Sequence, residues 1–256
     1  MGNVNICPGS GVVAEVFNKV DFYDCGNVAA GGCGLSWDPH SSNSCAVAAR
    51  GDLKIINTSS LQVSMTVLGA HRGCIRDVDY NPNKPNVLVT SGDDCKLKIW
   101  DLRHTKAPLK TLCGHSHWAW SAKYNPSHDQ LMISGGSDHV VNLWRISSVS
   151  SMPWEAPVVG NVGVGASGEA IENQSHRRVY SDGGEDEEEE YYGAGGDTEP
   201  EPEPVDIKVL AIDQHEDSVY STAWSPCEAW MFCSLSYDGR IILSHVPSTE
   251  KYKILL

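Results

Sequence analysis

Apolar and polar residues alternate along this chain in short bursts, not in helical periods. In "SGDDCKLKIWD" (residues 91–101), Leu97 and Ile99 alternate with Lys96 and Lys98 before the run closes on Trp100 and Asp101. A period of two predicts a strand with one buried face, and the Gly-Asp-Asp ahead of it predicts a turn. The same reading gives four strands near residues 74–79, 86–90, 96–100 and 108–112, with "YNPNKPN" and "SGDD" as turns between them. Short strands at even spacing with Gly, Asn and Pro turns predict an all-β architecture.

The pattern repeats. Trp100 and Trp144 are 44 residues apart, as are His71 and His115, and Asp94 and Asp138. His215 and Asp238 lie 100 further on, which is one repeat plus a 56-residue insertion. The His-to-Asp spacing is 23 in all three units, and each Asp follows an aromatic (Tyr80, Tyr124, Trp224) by 14. Pro82, Pro126 and Pro226 stand two residues beyond those aromatics. A worn copy precedes the three: "LKII" (residues 53–56) sits 44 before "LKIW", with Arg50 where the Asp would stand and no Trp.

These residues resemble WD40 repeats, in the 44-residue period, the "GH" of residues 114–115 and the "WD" of residues 100–101. The resemblance implies an all-β, partial WD40 β-propeller, about four blades of seven. It also implies structural sets in which an Asp accepts from a His that is linked through a strand hydroxyl to a Trp indole. Here these are His71, Asp94 and Trp100, then His115, Asp138 and Trp144, with Thr90 or Ser91, and Ser134, as hydroxyls. His215 and Asp238 keep the pair, but Ser244 replaces the Trp, so this set is expected to be weaker. Repetition in every unit reads as a fold device that matches buried donors to acceptors, and not as catalysis. "CGHSH" (residues 113–117) is loosely spaced like metal ligands, but His115 is already used by the repeat. No catalytic residue, metal or cofactor is expected, and with no phosphate loop or nucleophile elbow the chain is not read as an enzyme.

Charge changes the picture in one segment only. The formal net charge is −14, but residues 182–206 hold twelve Asp or Glu and no Lys or Arg, which leaves 19 basic and 21 acidic residues elsewhere. A chain without a basic stripe argues against nucleic-acid binding. The expected organisation is a leftover strand over 1–25, blades over 26–147, an acidic disordered insertion over 148–206 and a last blade over 207–256. The insertion has too few apolar residues and too dense a like charge to fold alone. Nine scattered cysteines with no C-x-x-C suggest free thiols in a reducing compartment. With no signal peptide or apolar span in the sequence, a cytoplasmic protein that reaches membranes through partners is expected.

Finer stretches, "KTLCGHSHWAWSAKYNPSHDQLMISGGSD" and "SLSYDGRIILSHVPSTEKYKILL" among them, resemble the family of EARP- and GARP-complex-interacting proteins. That resemblance implies a scaffold for the EARP and GARP vesicle-tethering complexes, acting in endosomal recycling and retrograde traffic at the trans-Golgi network. About three N-terminal blades of that family are expected to be missing. The family resemblance also places a partner face on the residues flanking the inner-strand start and before the turn Asp. These are Cys74, Arg76 and Asp93, then Trp118, Trp120 and Ser137, then Ser218, Tyr220 and Tyr237. Aromatics and Arg are the usual anchors of an interface, although Trp118 and Trp120 would alternatively pack on the neighbouring blade. A different class is a cullin-ligase substrate receptor, since Trp100, Asp101 and Arg103 resemble the W-D-x-R end of its adaptor box.

Overall fold

The structure is a computed structural model that describes residues 34–152 and 206–255. Residues 1–25 of the expected organisation, and the insertion between 153 and 205, lie outside the described residues. The fold is all-β, and the described residues form four antiparallel sheets and one short helix. The first blade runs β1 (Leu35–Trp37), β2 (Ser44–Ala49), β3 (Asp52–Asn57) and β4 (Gln62–Val67). The second holds β5 (Ile75–Tyr80), β6 (Val87–Gly92), β7 (Lys96–Asp101) and β8 (Lys110–Cys113). The third is β9 (Ala119–Tyr124), β10 (Leu131–Gly136), β11 (Val141–Arg145) and β12 (Ile207–Ile212). The last has β13 (Val219–Trp224), β14 (Met231–Ser236) and β15 (Ile241–His245), followed by the helix α1 (Ser248–Leu255).

Strand order within each sheet follows the chain. The inner strands β1, β5, β9 and β13 neighbour one another in sequence around a common axis. Apolar alternation puts the core between blades. Ala46, Ala48, Leu53 and Ile55 of the first blade pack against Val78, Tyr80, Leu88 and Trp100 of the second. Val87, Val89, Leu97 and Ile99 do the same for Ala122, Tyr124, Met132 and Trp144. Leu131, Ile133, Val141 and Leu143 meet Val219 and Phe232 of the last blade. Each blade therefore buries both of its faces only when it has two neighbours.

Two expectations need correction. Residues 207–212 were expected to open the last blade. β12 instead pairs with β11, Val141 opposite Ile212 and Arg145 opposite Ile207, so it is the outer strand of the third blade. The insertion thus interrupts a blade and does not separate two. The sequence repeat begins on the outer strand of one sheet and ends on the third strand of the next, and a count of repeats cannot reveal that offset. The second correction is α1, which period-two reading missed. Pro247-Ser-Thr-Glu250 is a helix-start signal with an acid in the first turn and Lys253 in the last. Glu250 is buried and takes Arg145 Nη1 at 3.0 Å and Lys253 Nζ at 2.7 Å, which fastens the helix to the third blade.

An inner strand exposes an unpaired edge along the axis, and side chains of the adjacent blade cap it. Asp77 Oδ2 accepts the Ala122 N–H at 3.1 Å and Asp79 Oδ2 accepts the Tyr124 N–H at 2.9 Å. Trp224 Nε1 donates to the Lys123 carbonyl at 3.1 Å. The turns after the inner strands are equally repetitive. Asn81 Oδ1 accepts from the N–H of Asn83 and Lys84, and Asn125 Oδ1 from Ser127 and His128. The prolines noticed in the sequence stand inside these side-chain-closed turns.

Candidate protein-interaction surface

The repeated polar sets hold the other end of the inner strands. In the second blade His71 Nδ1 is 2.7 Å from Asp94 Oδ1, His71 Nε2 is 2.7 Å from Thr90 Oγ1, and Trp100 Nε1 donates to Thr90 Oγ1 at 3.0 Å. Thr90, not Ser91, supplies the hydroxyl. In the third blade the distances are 2.9 Å for His115–Asp138, 2.8 Å for His115–Ser134 and 2.9 Å for Trp144–Ser134. Burial raises the Asp94 carboxyl, but the His71 hydrogen bond and charge, the Arg72 N–H and Lys98 outweigh it, so the carboxyl sits well below its usual range. Asp138 is lowered by the same opposition, burial against His115 and the N–H groups of Ser116 and Val140.

Two neighbouring glycines make room for these imidazoles. A Cβ on Gly92 would lie 2.6 Å from His71 Nδ1, and one on Gly136 would lie 2.6 Å from His115 Nδ1. Gly92 belongs to the "SGDD" turn by pattern, and both glycines answer to this steric demand. In the last blade Ser236 stands at that position, and the His215–Asp238 distance opens to 3.3 Å. His215 still reaches Ser234 Oγ at 2.8 Å. The first blade drops the set altogether. Its β2–β3 turn is one residue shorter, with Arg50 at φ 58°, and Val47 and Ile56 form a small apolar cluster with Cys45 at the hydroxyl and indole positions. Replacing every partner of a polar set together leaves nothing buried and unsatisfied.

The sets anchor the turns that carry the expected partner face. Arg76 Nε donates to Asp93 Oδ1, and Asp93 Oδ2 accepts the Cys74 N–H at 3.1 Å. The Arg76 guanidinium lies 5.0 Å from the Trp118 ring centroid and 4.5 Å from that of Trp120, bridging two blades by cation–π contact. Trp118 and Trp120 meet edge-on at 6.0 Å, and Trp120 Nε1 donates to Ser137 Oγ. Tyr220 and Tyr237 of the last blade pair at 4.6 Å, beside the Ser218 carbonyl that accepts Tyr237 N. Arg76 and Asp93 are thus spent on holding the tryptophans in place. Trp118 is 36% exposed and Tyr237 is 64% exposed, so both present ring surface outward. The arrangement suits apolar and aromatic contact with a protein partner and has no acid–base geometry. Trp100 is buried, and Arg103 forks onto Asp101 with Nε to Oδ1 at 2.9 Å and Nη2 to Oδ2 at 2.7 Å. The Asp101 carboxyl is lowered chiefly by that guanidinium.

Four antiparallel sheets packed in succession, three of them carrying a His–Asp–hydroxyl set, define a WD40 β-propeller protein. Residues 207–243 match the WD domain, G-beta repeat, and residues 20–144 match the family described as EIPR1 beta-propeller. The chain is 40% identical over 223 residues to the human "EARP and GARP complex-interacting protein 1", covering 86% of this chain and 51% of that protein. Against "EARP-interacting protein 1" of Caenorhabditis elegans it is 36% identical over 221 residues, 86% of this chain and 52% of the relative. It is also 30% identical to "WD repeat-containing protein DWA2" of Arabidopsis thaliana over 216 residues, 83% of this chain and 49% of that one. The chain belongs to the EARP- and GARP-complex-interacting protein family. It spans about half the length of the curated relatives it matches.

Proposed function

We propose that this chain is a non-enzymatic WD40 scaffold that binds EARP- and GARP-type vesicle-tethering complexes. Through them it acts in endosomal recycling and endosome-to-Golgi retrograde traffic, peripheral to recycling endosomes and the trans-Golgi network. The observation that carries the reading is the likeness to relatives named for interaction with those complexes, which extends over 86% of this chain. The Arg76, Trp118, Trp120, Tyr220 and Tyr237 face is the contact surface. It gathers aromatic area from two blades and an Arg from a third, and the Arg76–Asp93 pair holds part of it ready, so little ordering is left to pay for on binding. Among the described residues no helix is long and apolar enough to cross a membrane.

The test is affinity capture of the full chain from cell lysate, probed for tethering-complex subunits. The Trp118→Ala/Trp120→Ala double variant should lose capture by at least tenfold while its circular dichroism stays that of a β-propeller. Undiminished capture by a folded double variant would overturn the placement of the surface. Recovery of cullin and its adaptor in place of tethering subunits would favour the ligase-receptor class, for which the Arg103 guanidinium would have to leave Asp101.

A further inference from the structure

At the other end of the inner strands, some 16–20 Å from the tryptophan face for six-residue strands, the side-chain-closed turns surround a cavity of about 510 Å3. Its walls are Trp37, Trp224 and one proline from each of the four turns, and its charged groups are Asp79 and Lys123. Trp37 is 60% exposed, so a large indole stands at the mouth with one side unused. The Lys123 ammonium is already taken by Asp77 Oδ1 at 2.9 Å. Asp79 accepts the Tyr124 N–H and faces Ser36, while Asp77 stands two residues away on the same strand. The local balance is two carboxylates against one ammonium.

We propose that this cavity binds a basic side chain, arginine or lysine, presented by an extended segment of a partner protein. Indole faces attract a cation, and prolines give apolar walls without N–H groups that would compete with the guest's donors for the Asp79 carboxylate. Asp79 at the wall supplies the counter-charge. An acidic guest would meet two carboxylates and an ammonium that is already paired. An apolar guest would seal Asp79 from water without compensation, which is costly. Burial pushes the Asp79 carboxyl up to about 6, against the pull of Lys123 and the Tyr124 N–H and with a smaller push from Asp77. A bound cation would relieve that state, so binding should strengthen as pH rises through this value.

The test uses the full chain with 15N-labelled indoles and two probes, acetyl-Gly-Arg-Gly-amide and acetyl-Gly-Glu-Gly-amide. The Arg peptide should shift the Trp37 and Trp224 indole signals, and the Glu peptide should not. Affinity for the Arg peptide should fall about tenfold from pH 7.5 to pH 5.0, as expected for a carboxylate of pKa near 6. Asp79→Asn should weaken binding at least tenfold at pH 7.5 and flatten the pH profile. The flat profile separates Asp79 from the His40 imidazole beside Pro39. Trp37→Ala, at an exposed position that the fold does not need, should weaken binding several-fold. Equal shifts from both peptides, unchanged affinity in Asp79→Asn or Trp37→Ala, or shifts confined to Trp118 and Trp120 would each overturn the proposal.

Discussion

The second and third blades and the last blade carry the same His and Asp at the same spacing, yet they use them differently. In the middle blades the chain of contacts runs from carboxylate through imidazole and hydroxyl to a buried indole, and a glycine clears the imidazole. In the last blade Ser244 takes the indole position and Ser236 the glycine position, and the imidazole–carboxylate distance lengthens. Its surroundings differ as well. Ile241 and Leu243 on β15 are 68% and 67% exposed, whereas the matching Leu97, Ile99, Val141 and Leu143 are fully buried. A polar set is worth most where both blade faces are covered, because only there does an unmatched partner lose water.

The largest expected difference comes from the indole. Trp144→Ala empties a position that is 4% exposed between two blades and should cost about 3–5 kcal/mol in chemical denaturation. Leu243→Ala, on the uncovered face, should shift the midpoint by far less. A comparable loss from both would mean that the last blade is as well packed as the third.

The carboxylates come next. Asp138→Ala leaves His115 Nδ1 and the Ser116 N–H without their acceptor and should cost roughly 1–3 kcal/mol. Asp238→Ala should cost less, because its low pKa of about 2 is owed first to the exposed Glu216 and Arg240 N–H groups and only then to His215. Thermal melts of the two single variants decide the order.

A pH series sharpens the same contrast. Asp94 and Asp138 have lowered carboxyl pKa values, so their protonated forms favour the unfolded chain. Their contribution is complete above the ordinary carboxylate pKa, near 4, and is lost as pH falls below it. Asp79 works with the opposite sign. Its raised pKa means that folding favours the protonated form, so stability is lost as pH rises from about 4 through about 6. Asp79→Asn should therefore raise stability at pH 7.5, on the order of 1–2 kcal/mol, and leave it unchanged at pH 4. Melting temperatures at both pH values check it. An equal change at the two would show that the carboxyl's charge is not the cause.

The smallest expected effect is a repair. Ser244 lies opposite Phe232 as Trp144 lies opposite Met132, so Ser244→Trp would place an indole N–H near Ser234 Oγ. The gain should be below about 1 kcal/mol, because β15 is open to water and one new hydrogen bond there nets little. A gain as large as the loss in Trp144→Ala would show that the set stabilises a blade without burial.

Local patterning and the 44-residue register were enough to read the all-β class, the strands of the second blade to within about two residues, and the grouping of His71, Asp94 and Trp100 or His115, Asp138 and Trp144. Strand alternation and turn chemistry are short-range physics, and a repeat writes them several times over. The contacts of Arg76 with Trp118 and Trp120 and of Tyr220 with Tyr237 agree with the strand argument that positions three and five after each His point the same way from equivalent strands. Assembly decided the rest. Pairing between β11 and β12 across the insertion depends on which edge is free, and no local signal records that. The steric demand on Gly92 and Gly136 exists only once an imidazole from another strand is seated beside them. Arg76 spans to Trp118 and Trp120 only because blades pack face to face. The cavity beside Asp79 is a product of four turns whose sequence separation exceeds 180 residues from Trp37 to Trp224, and the burial that lifts its carboxyl belongs to none of those segments alone.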